Sequence, residues 1–313
     1  MKNLTVFLIV LLAALWVSCE QVLDPSDFED EFGDYRPELK IEGLLQQDKP
    51  EDSIVRVDKT ITFTDKIIHD GIDDDGDGEI DEEDEVLSLI HDTSATVKVT
   101  NLNSGEVIDF HYLEDAGTIV RRDDNDEVIT IPYGGYKPVS GDFQLENYAQ
   151  YRIEIYSRDF DQTITGITTV YPPAFFTDKN FNIHGDQVTM NVNDQKEILW
   201  ISDLEVTAYF LTYEEVTDEG VEFLGSTSRA ADPDLSQSYP NGSVGREYFF
   251  GFDSEIVLRL TVEAFSPEWG RYIFSELPFK DPQRTNLRDQ NGNPVMGCFG
   301  VSAANSIRII IEE

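Results

Sequence analysis

Positive charge is scarce in this chain: 23 Lys and Arg stand against 62 Asp and Glu, a formal net charge of −39. A nucleic-acid partner needs a basic stripe along its phosphate backbone, and no cluster of Lys and Arg forms one, so that class of function is excluded. The same balance opposes direct docking on anionic lipid headgroups. Cysteine is rarer still, with two in 313 residues, and Cys19 and Cys298 together make no disulfide framework. Cys298, between Gly297 and Phe299, reads as a small buried apolar residue rather than a nucleophile. The catalytic signatures are missing too: there is no Gly-x-Ser-x-Gly elbow, no phosphate-binding glycine loop and no His-Glu-x-x-His helix. Four histidines, His69, His91, His111 and His184, are scattered. A transition-metal site shared by His69 and His91 is one option, but carboxylate-rich surroundings prefer hard cations and solvated histidines are commoner. A carboxylate pair for glycoside hydrolysis depends on a separation in space that spacing along the chain does not fix. Long helical patterns are absent as well, since no stretch beyond about nine residues keeps a 3.6 period.

What is present begins with an export signal. Met1-Lys2-Asn3 and the apolar run Leu4 to Val17 have signal-peptide length and are too short for a comfortable membrane span. Val17-Ser18-Cys19 resembles the lipobox of bacterial lipoproteins, with Trp16 where Leu is usual. Residues 1–18 are then the lipoprotein signal peptide and Cys19 the acylated anchor, because several acyl chains together hold a bilayer where one does not. An ordinary secretory signal is the alternative. Residues 19–35 form an acidic tether with no periodic pattern, expected to be flexible. Acids soon after the anchor resemble the signal that sends Bacteroidetes lipoproteins to the outer face of the outer membrane. The localisation this implies is the outer membrane, lipid-anchored and facing the cell exterior.

One segment carries its own chemistry. From Asp73 to Glu85, ten of thirteen residues are carboxylates. Neighbouring charges ~6 Å apart in water oppose each other by roughly 0.7 kcal/mol per pair, and a hard divalent cation reverses that sign. Within 73–84, Asp73, Asp75 and Asp77 occupy loop positions 1, 3 and 5 of a calcium loop, Gly78 the sharp turn and Ile80 the aliphatic position. Asp73, Asp75, Asp77, Glu79, Asp81 and Asp84 are the candidate ligands. Asp84 stands where the EF-hand pattern has a bidentate Glu, and the preceding Thr60 to Thr64 is β-branched and alternating, so no entering helix is expected. The loop resembles the isolated Asp-rich loops of dockerins and thrombospondin-type repeats, and its calcium is expected to be structural.

The rest of the chain reads as all-β. Val55/Val57, Ala95/Val97/Val99, Ile108/Phe110/Tyr112, Tyr151/Ile153/Ile155, Val188/Met190/Val192 and Ile256/Leu258/Leu260/Val262/Ala264 alternate with polar neighbours, the period of strands with one buried face. Asn101 to Gly105 is placed as a hairpin connection. Paired prolines at Tyr171-Pro172-Pro173 mark a boundary. The expectation is two β-sandwich domains of Ig-like or transthyretin-like type, 36–172 with the calcium loop and 173–313, behind the signal and tether. Thr227 to Gly245, rich in Ser, Asp, Pro and Gly, is expected to be a surface loop. Tyr133-Gly134-Gly135-Tyr136 and Phe265 to Tyr272 set aromatics beside turn formers, where Tyr133, Tyr136, Trp269 and Tyr272 are candidates for contacting a ligand. Burial at strand ends is the competing expectation, and the favoured one for Trp269.

The order of several short motifs resembles a family. Leu39-Lys40-Ile41-Glu42-Gly43, Ala95-Thr96-Val97-Lys98-Val99, Gly141-Asp142-Phe143 before Tyr151-Arg152-Ile153-Glu154-Ile155, Pro172-Pro173, Phe279-Lys280-Asp281-Pro282, Thr285-Asn286-Leu287 and Gly297-Cys298-Phe299-Gly300 are similar to domain-of-unknown-function family 4249, a Bacteroidetes-type outer-membrane lipoprotein family. The calcium loop and Asp289 to Pro294 are departures from its pattern. Its members often accompany TonB-dependent outer-membrane receptors, and no activity comes with the resemblance. The resemblance implies a non-enzymatic lipoprotein that captures a ligand, a glycan or peptide, for such a transporter. A glycan- or peptide-cleaving surface enzyme and a structural or adhesive envelope component are the alternatives.

Overall fold

The computed structural model describes residues 37–60, 90–122, 128–140, 143–176, 185–191, 198–218, 220–230, 242–244, 256–274 and 285–312. Apart from Pro37, these residues belong to one compact unit, Glu38–Thr60 with Glu82–Glu313. The protein is all-β, as the alternating pattern implies: its described elements are strands and two short helical turns. Burial follows the sequence alternation. In β1 (Leu39–Gln46), Leu39, Ile41 and Leu45 are buried while Lys40, Glu42, Leu44 and Gln46 face the other way. β2 (Ile54–Lys59) runs antiparallel to it, and β3 (Thr96–Asn101), β4 (Val107–Arg122), β5 (Val128–Pro138), β6 (Gln150–Ser157) and β7 (Gln162–Thr169) continue the sheet in the order β2-β5-β4-β3-β6-β7. The hairpin expected at Asn101 to Gly105 joins β3 to β4, and Gly105 takes the positive φ that the turn requires.

After Pro172-Pro173 come β8 (Phe175–Phe176), β9 (Gln187–Asn191), β10 (Ile198–Ile201), β11 (Ala208–Thr217), β12 (Gly220–Ala230), β13 (Gly242–Val244), β14 (Ile256–Phe265), the helix α1 (Pro267–Ile273), β15 (Leu287–Asp289) and β16 (Met296–Glu312). β12, β11 and β14 join β16, which passes the sheet on to β1, while β13, β10 and β8 form a separate three-stranded sheet. The loop expected over Thr227 to Gly245 is corrected at both ends. Thr227 to Ala230 finish β12 against β11, and Gly242 to Val244 pair with β10.

Two hydrophobic cores result. The first contains Ile41, Val55, Val97, Tyr151, Ile153, Ile155 and Val170, and the second Ala174, Trp200, Leu211, Leu260, Val262 and Ile309. Each fully buried large side chain contributes about 2 kcal/mol of apolar transfer. β16 serves both cores. Its first half pairs parallel with β1 and places Phe299 and Val301 in the first core, and its second half pairs antiparallel with β14 and places Ile307, Ile309 and Ile311 in the second. Leu287 and Val295 also pack in the first core, so the C-terminal segment completes a core begun at residue 39.

Two features hold this closing segment. Asn286 Nδ2 donates to the carbonyls of Ile167 (2.8 Å) and Phe299 (2.7 Å), tying β7 to β16. Gly297, at φ +105°, lies so close to β1 that a Cβ would stand 1.8 Å from the Ile41 carbonyl oxygen. Helix α1, where an aromatic loop was expected, packs between these strands and β11. Gly270 permits the approach, because a Cβ there would meet Thr207 Oγ1 at 2.3 Å.

Candidate functional site

Since β1 and β2 turn Ile41, Val55 and Val57 into the first core, their intervening residues Lys40, Glu42, Arg56 and Asp58 share the opposite face. The register sets Glu42 against Arg56 and Lys40 against Asp58. Lys40 Nζ lies 2.9 Å from Glu42 Oε1, and Arg56 reaches Glu42 Oε2 at 3.4 Å and Asp58 Oδ2 at 2.8 Å. Asp58 Oδ1 lies 2.6 Å from His91 Nδ1, so the carboxylate orients the imidazole through its N–H. At the other end the Tyr272 hydroxyl of α1 donates to Glu42 Oε1 at 2.5 Å. Burial alone would raise the Glu42 carboxyl, but Lys40, the Tyr272 hydrogen bond and Arg56 outweigh it and hold the group below its ordinary value. Burial, and then Glu42, push the Tyr272 hydroxyl upward, so it remains a donor. The chain Tyr272–Glu42–Arg56–Asp58–His91 therefore fixes its charges on one another. Asp58 and the His91 side chain are almost fully buried, and His91 Nε2 has no partner among the described residues.

A groove opens beside this chain. β4 carries two extra residues relative to β5, since Leu113 pairs with Gly135 and Gly117 with Tyr133. Such a bulge bends its strand and re-aims side chains. It brings Asp115, Ala116, Gly117 and Thr118 to one wall of a groove of about 410 Å³, completed by Gln46, Asp52, Ile54, Tyr133 and Lys137. This volume lies within the range of small-ligand sites. Lys137 Nζ stands 3.5 Å from Asp52 Oδ1. The lining offers carboxylate acceptors, an ammonium donor, an amide and hydroxyls beside the apolar Ile54, a set suited to a polar ligand with both donors and acceptors. Tyr133 belongs to the groove and to the ion chain at once. Arg56 Cζ lies 5.3 Å from its ring centroid. Gly117 backs it so closely that a Cβ would come within 2.4 Å of Tyr133 Cζ. Burial raises the Tyr133 hydroxyl, with Arg56 opposing and Glu42 adding.

The four candidate aromatics divide. Tyr133 is half-buried and lines the groove, with Arg56 and Gly117 taken up against its ring. Tyr136 is buried in the first core, its hydroxyl donating to the Asp92 carbonyl at 2.6 Å. Tyr272 is buried on Glu42, and Trp269 is half-buried against Gly300 and the Tyr272 ring (5.6 Å between centroids). The expectation of displayed aromatics is thus corrected at Tyr136 and Tyr272. Gly134 and Gly135 make no turn. They sit within β5 because Tyr112, His91 and Ile54 occupy the space of their Cβ atoms. His91 is likewise not solvated, whereas His111 is exposed. Cys298 is fully buried, its Sγ 3.7 Å from Asn286 Oδ1, and burial pushes its thiol upward, away from thiolate chemistry.

Cys19, the candidate calcium ligands Asp73, Asp75, Asp77, Glu79, Asp81 and Asp84, and His69 and His184 lie outside the described residues. Sequence reading missed Asp52, Asp115 and Lys137 as groove residues. Gly117 inside a strand-like run is the signal that marks the bulge placing Asp115. Among the described residues no helix is long and apolar enough to cross a membrane. Comparison with known proteins gives no match: no family model, no curated protein and no solved structure aligns with the chain.

Proposed function

We propose that this protein is a surface-anchored, non-enzymatic outer-membrane lipoprotein that captures a polar ligand and passes it to a TonB-dependent transporter as an accessory subunit. The observation that carries the capture step is the groove beside Tyr133, with Asp52 from the short helical turn before β2, Asp115 from the β4 bulge and Lys137 from β5 set around it. The lipobox at Cys19 and the acidic tether support the anchoring, and the resemblance to family 4249 supports the transporter. A calcium ion held by Asp73, Asp75, Asp77, Glu79, Asp81 and Asp84 is part of the same reading, as a brace and not a sensor.

Palmitate incorporated by the wild type and lost in Cys19→Ala is the expected result for the anchor, and label surviving that substitution contradicts it. Turnover on a polysaccharide and peptide panel would transfer the reading to a surface enzyme.

A further inference from the structure

The groove beside Tyr133 also discriminates between the kinds of ligand it could take. Among the described residues its lining carries one cation, Lys137, and two anions, Asp52 and Asp115. Lys137 Nζ stands 3.5 Å from Asp52 Oδ1, farther than a charge-assisted hydrogen bond reaches, so the ammonium keeps N–H groups for another acceptor. The Lys137 side chain is only 19% exposed, which directs that ammonium instead of leaving it to sweep through solvent. Asp52 is fixed beside it, its N–H donating to the Lys49 carbonyl at 2.8 Å and its carbonyl accepting from Gln46 Nε2 at 3.3 Å. Asp115, in the β4 bulge, is exposed and makes no ion pair among the described residues.

Lys137 and Asp115 are opposite in sign and set apart. Leu113 pairs with Gly135 and Gly117 with Tyr133, so Asp115 lies level with Gly134, three residues along β5 from Lys137. At a strand rise of ~3.3 Å per residue, that is a backbone separation of about 10 Å. Three extended residues of peptide cover roughly 10 Å. A free amino acid holds both its charges on one Cα and falls short. A neutral sugar matches neither charge and stacks on an open aromatic face. Here Arg56 Cζ already lies over the Tyr133 ring at 5.3 Å, and Gly117 packs so closely that its Cβ would come within 2.4 Å of Tyr133 Cζ.

We propose that the groove takes a short peptide with free termini, its ammonium on the Asp115 carboxylate and its carboxylate on the Lys137 ammonium. Ile54 and Ala116 supply apolar surface in the same groove. This specificity rests on the groove being the capture site, and it adds the class and the direction of the ligand.

Calorimetric titration of the full chain with trialanine, N-acetyl-trialanine, trialanine amide and maltotriose is the test. Trialanine is expected to bind the wild type and to weaken about fivefold or more when either terminus is blocked. Asp115→Asn should weaken trialanine and no longer respond to acetylation, and Lys137→Met should weaken it and no longer respond to amidation. Both replacements keep the shape of the side chain, and unchanged melting temperatures show that neither loss is a folding effect. Equal binding of free and blocked peptides, or a variant still sensitive to the terminus assigned to it, would overturn the proposal. Heat from maltotriose and none from trialanine, lost in Lys137→Met, would overturn it while leaving the groove as the capture site. No heat from any of the four ligands would contradict both.

Discussion

The side-chain amide of Asn286 engages both backbone groups of Phe299, its Nδ2 donating to the carbonyl at 2.7 Å and its Oδ1 accepting the N–H at 3.0 Å. The same Nδ2 reaches the Ile167 carbonyl, so one side chain joins two strands that do not otherwise pair. Asn286→Ala leaves three backbone groups without this partner and is expected to cost about 2 to 4 kcal/mol, read as a lower urea midpoint. Asn286→Asp, which keeps an acceptor and loses the donor, is expected to lose a comparable amount.

Two glycines with positive φ should respond very differently to alanine. At Gly297 a Cβ would stand 1.8 Å from the Ile41 carbonyl oxygen, whereas at Gly105, φ +78°, nothing lies within 4 Å. Gly105→Ala meets only the conformational cost, about 1 kcal/mol. Gly297→Ala forces β1 and β16 apart and is expected to exceed about 4 kcal/mol, giving a chain that does not fold. Soluble yield and thermal melting of the two variants provide the comparison.

Among the described residues, Glu42 and Glu263 contribute to the acid dependence of stability in opposite directions. Glu42 is held below its ordinary value of 4.5, so it contributes stability above that pH which is lost as pH falls through the lower folded value. Glu263 is raised from 4.5, first by burial and further by Asp48, so the folded state holds its proton more tightly and stability falls as pH rises above 4.5. Glu42→Gln should therefore flatten the drop in melting temperature on acidification below 4.5. Glu263→Gln should raise the melting temperature at neutral pH. Melting curves at neutral and acid pH check both, and a lowered neutral value for Glu263→Gln contradicts its assignment.

The strands were legible because one-sided burial writes itself into alternation, as at Tyr151, Ile153 and Ile155. Helix α1 was not, since seven residues are too few to establish a 3.6 period. Ser266-Pro267-Glu268 nevertheless carries a helix-start pattern. Tyr133-Gly134-Gly135-Tyr136 misled because glycine in a strand answers to neighbours across the sheet, here Tyr112 and Ile54, and not to local turn geometry. The ion chain was beyond sequence reasoning for a similar reason. Glu42 meets Tyr272 across 230 residues, and no local pattern records such a partner. The groove shows both sides of this limit: Tyr133 was singled out, while Asp52 and Lys137 enter only once β1, β2 and β5 are aligned.

Calcium binding is testable without reference to the fold. Calorimetric titration of the wild type is expected to give a saturable heat with an affinity near ~10⁻⁴ to 10⁻³ M, the range of extracellular modules. The double variant Asp73→Ala with Asp77→Ala should give none. Equal heats from both proteins would assign the binding to carboxylates elsewhere among the 62.

The central claim, a lipid-anchored accessory to a transporter, is tested most directly by copurification from detergent-solubilised outer membranes with a tag on the C-terminus of the full chain. The account predicts that a TonB-dependent barrel comes with it in roughly equal amount, and that Cys19→Ala abolishes its recovery from the membrane fraction. Purification of the lipoprotein alone from the membrane, or recovery of the wild type in the soluble fraction, would contradict it.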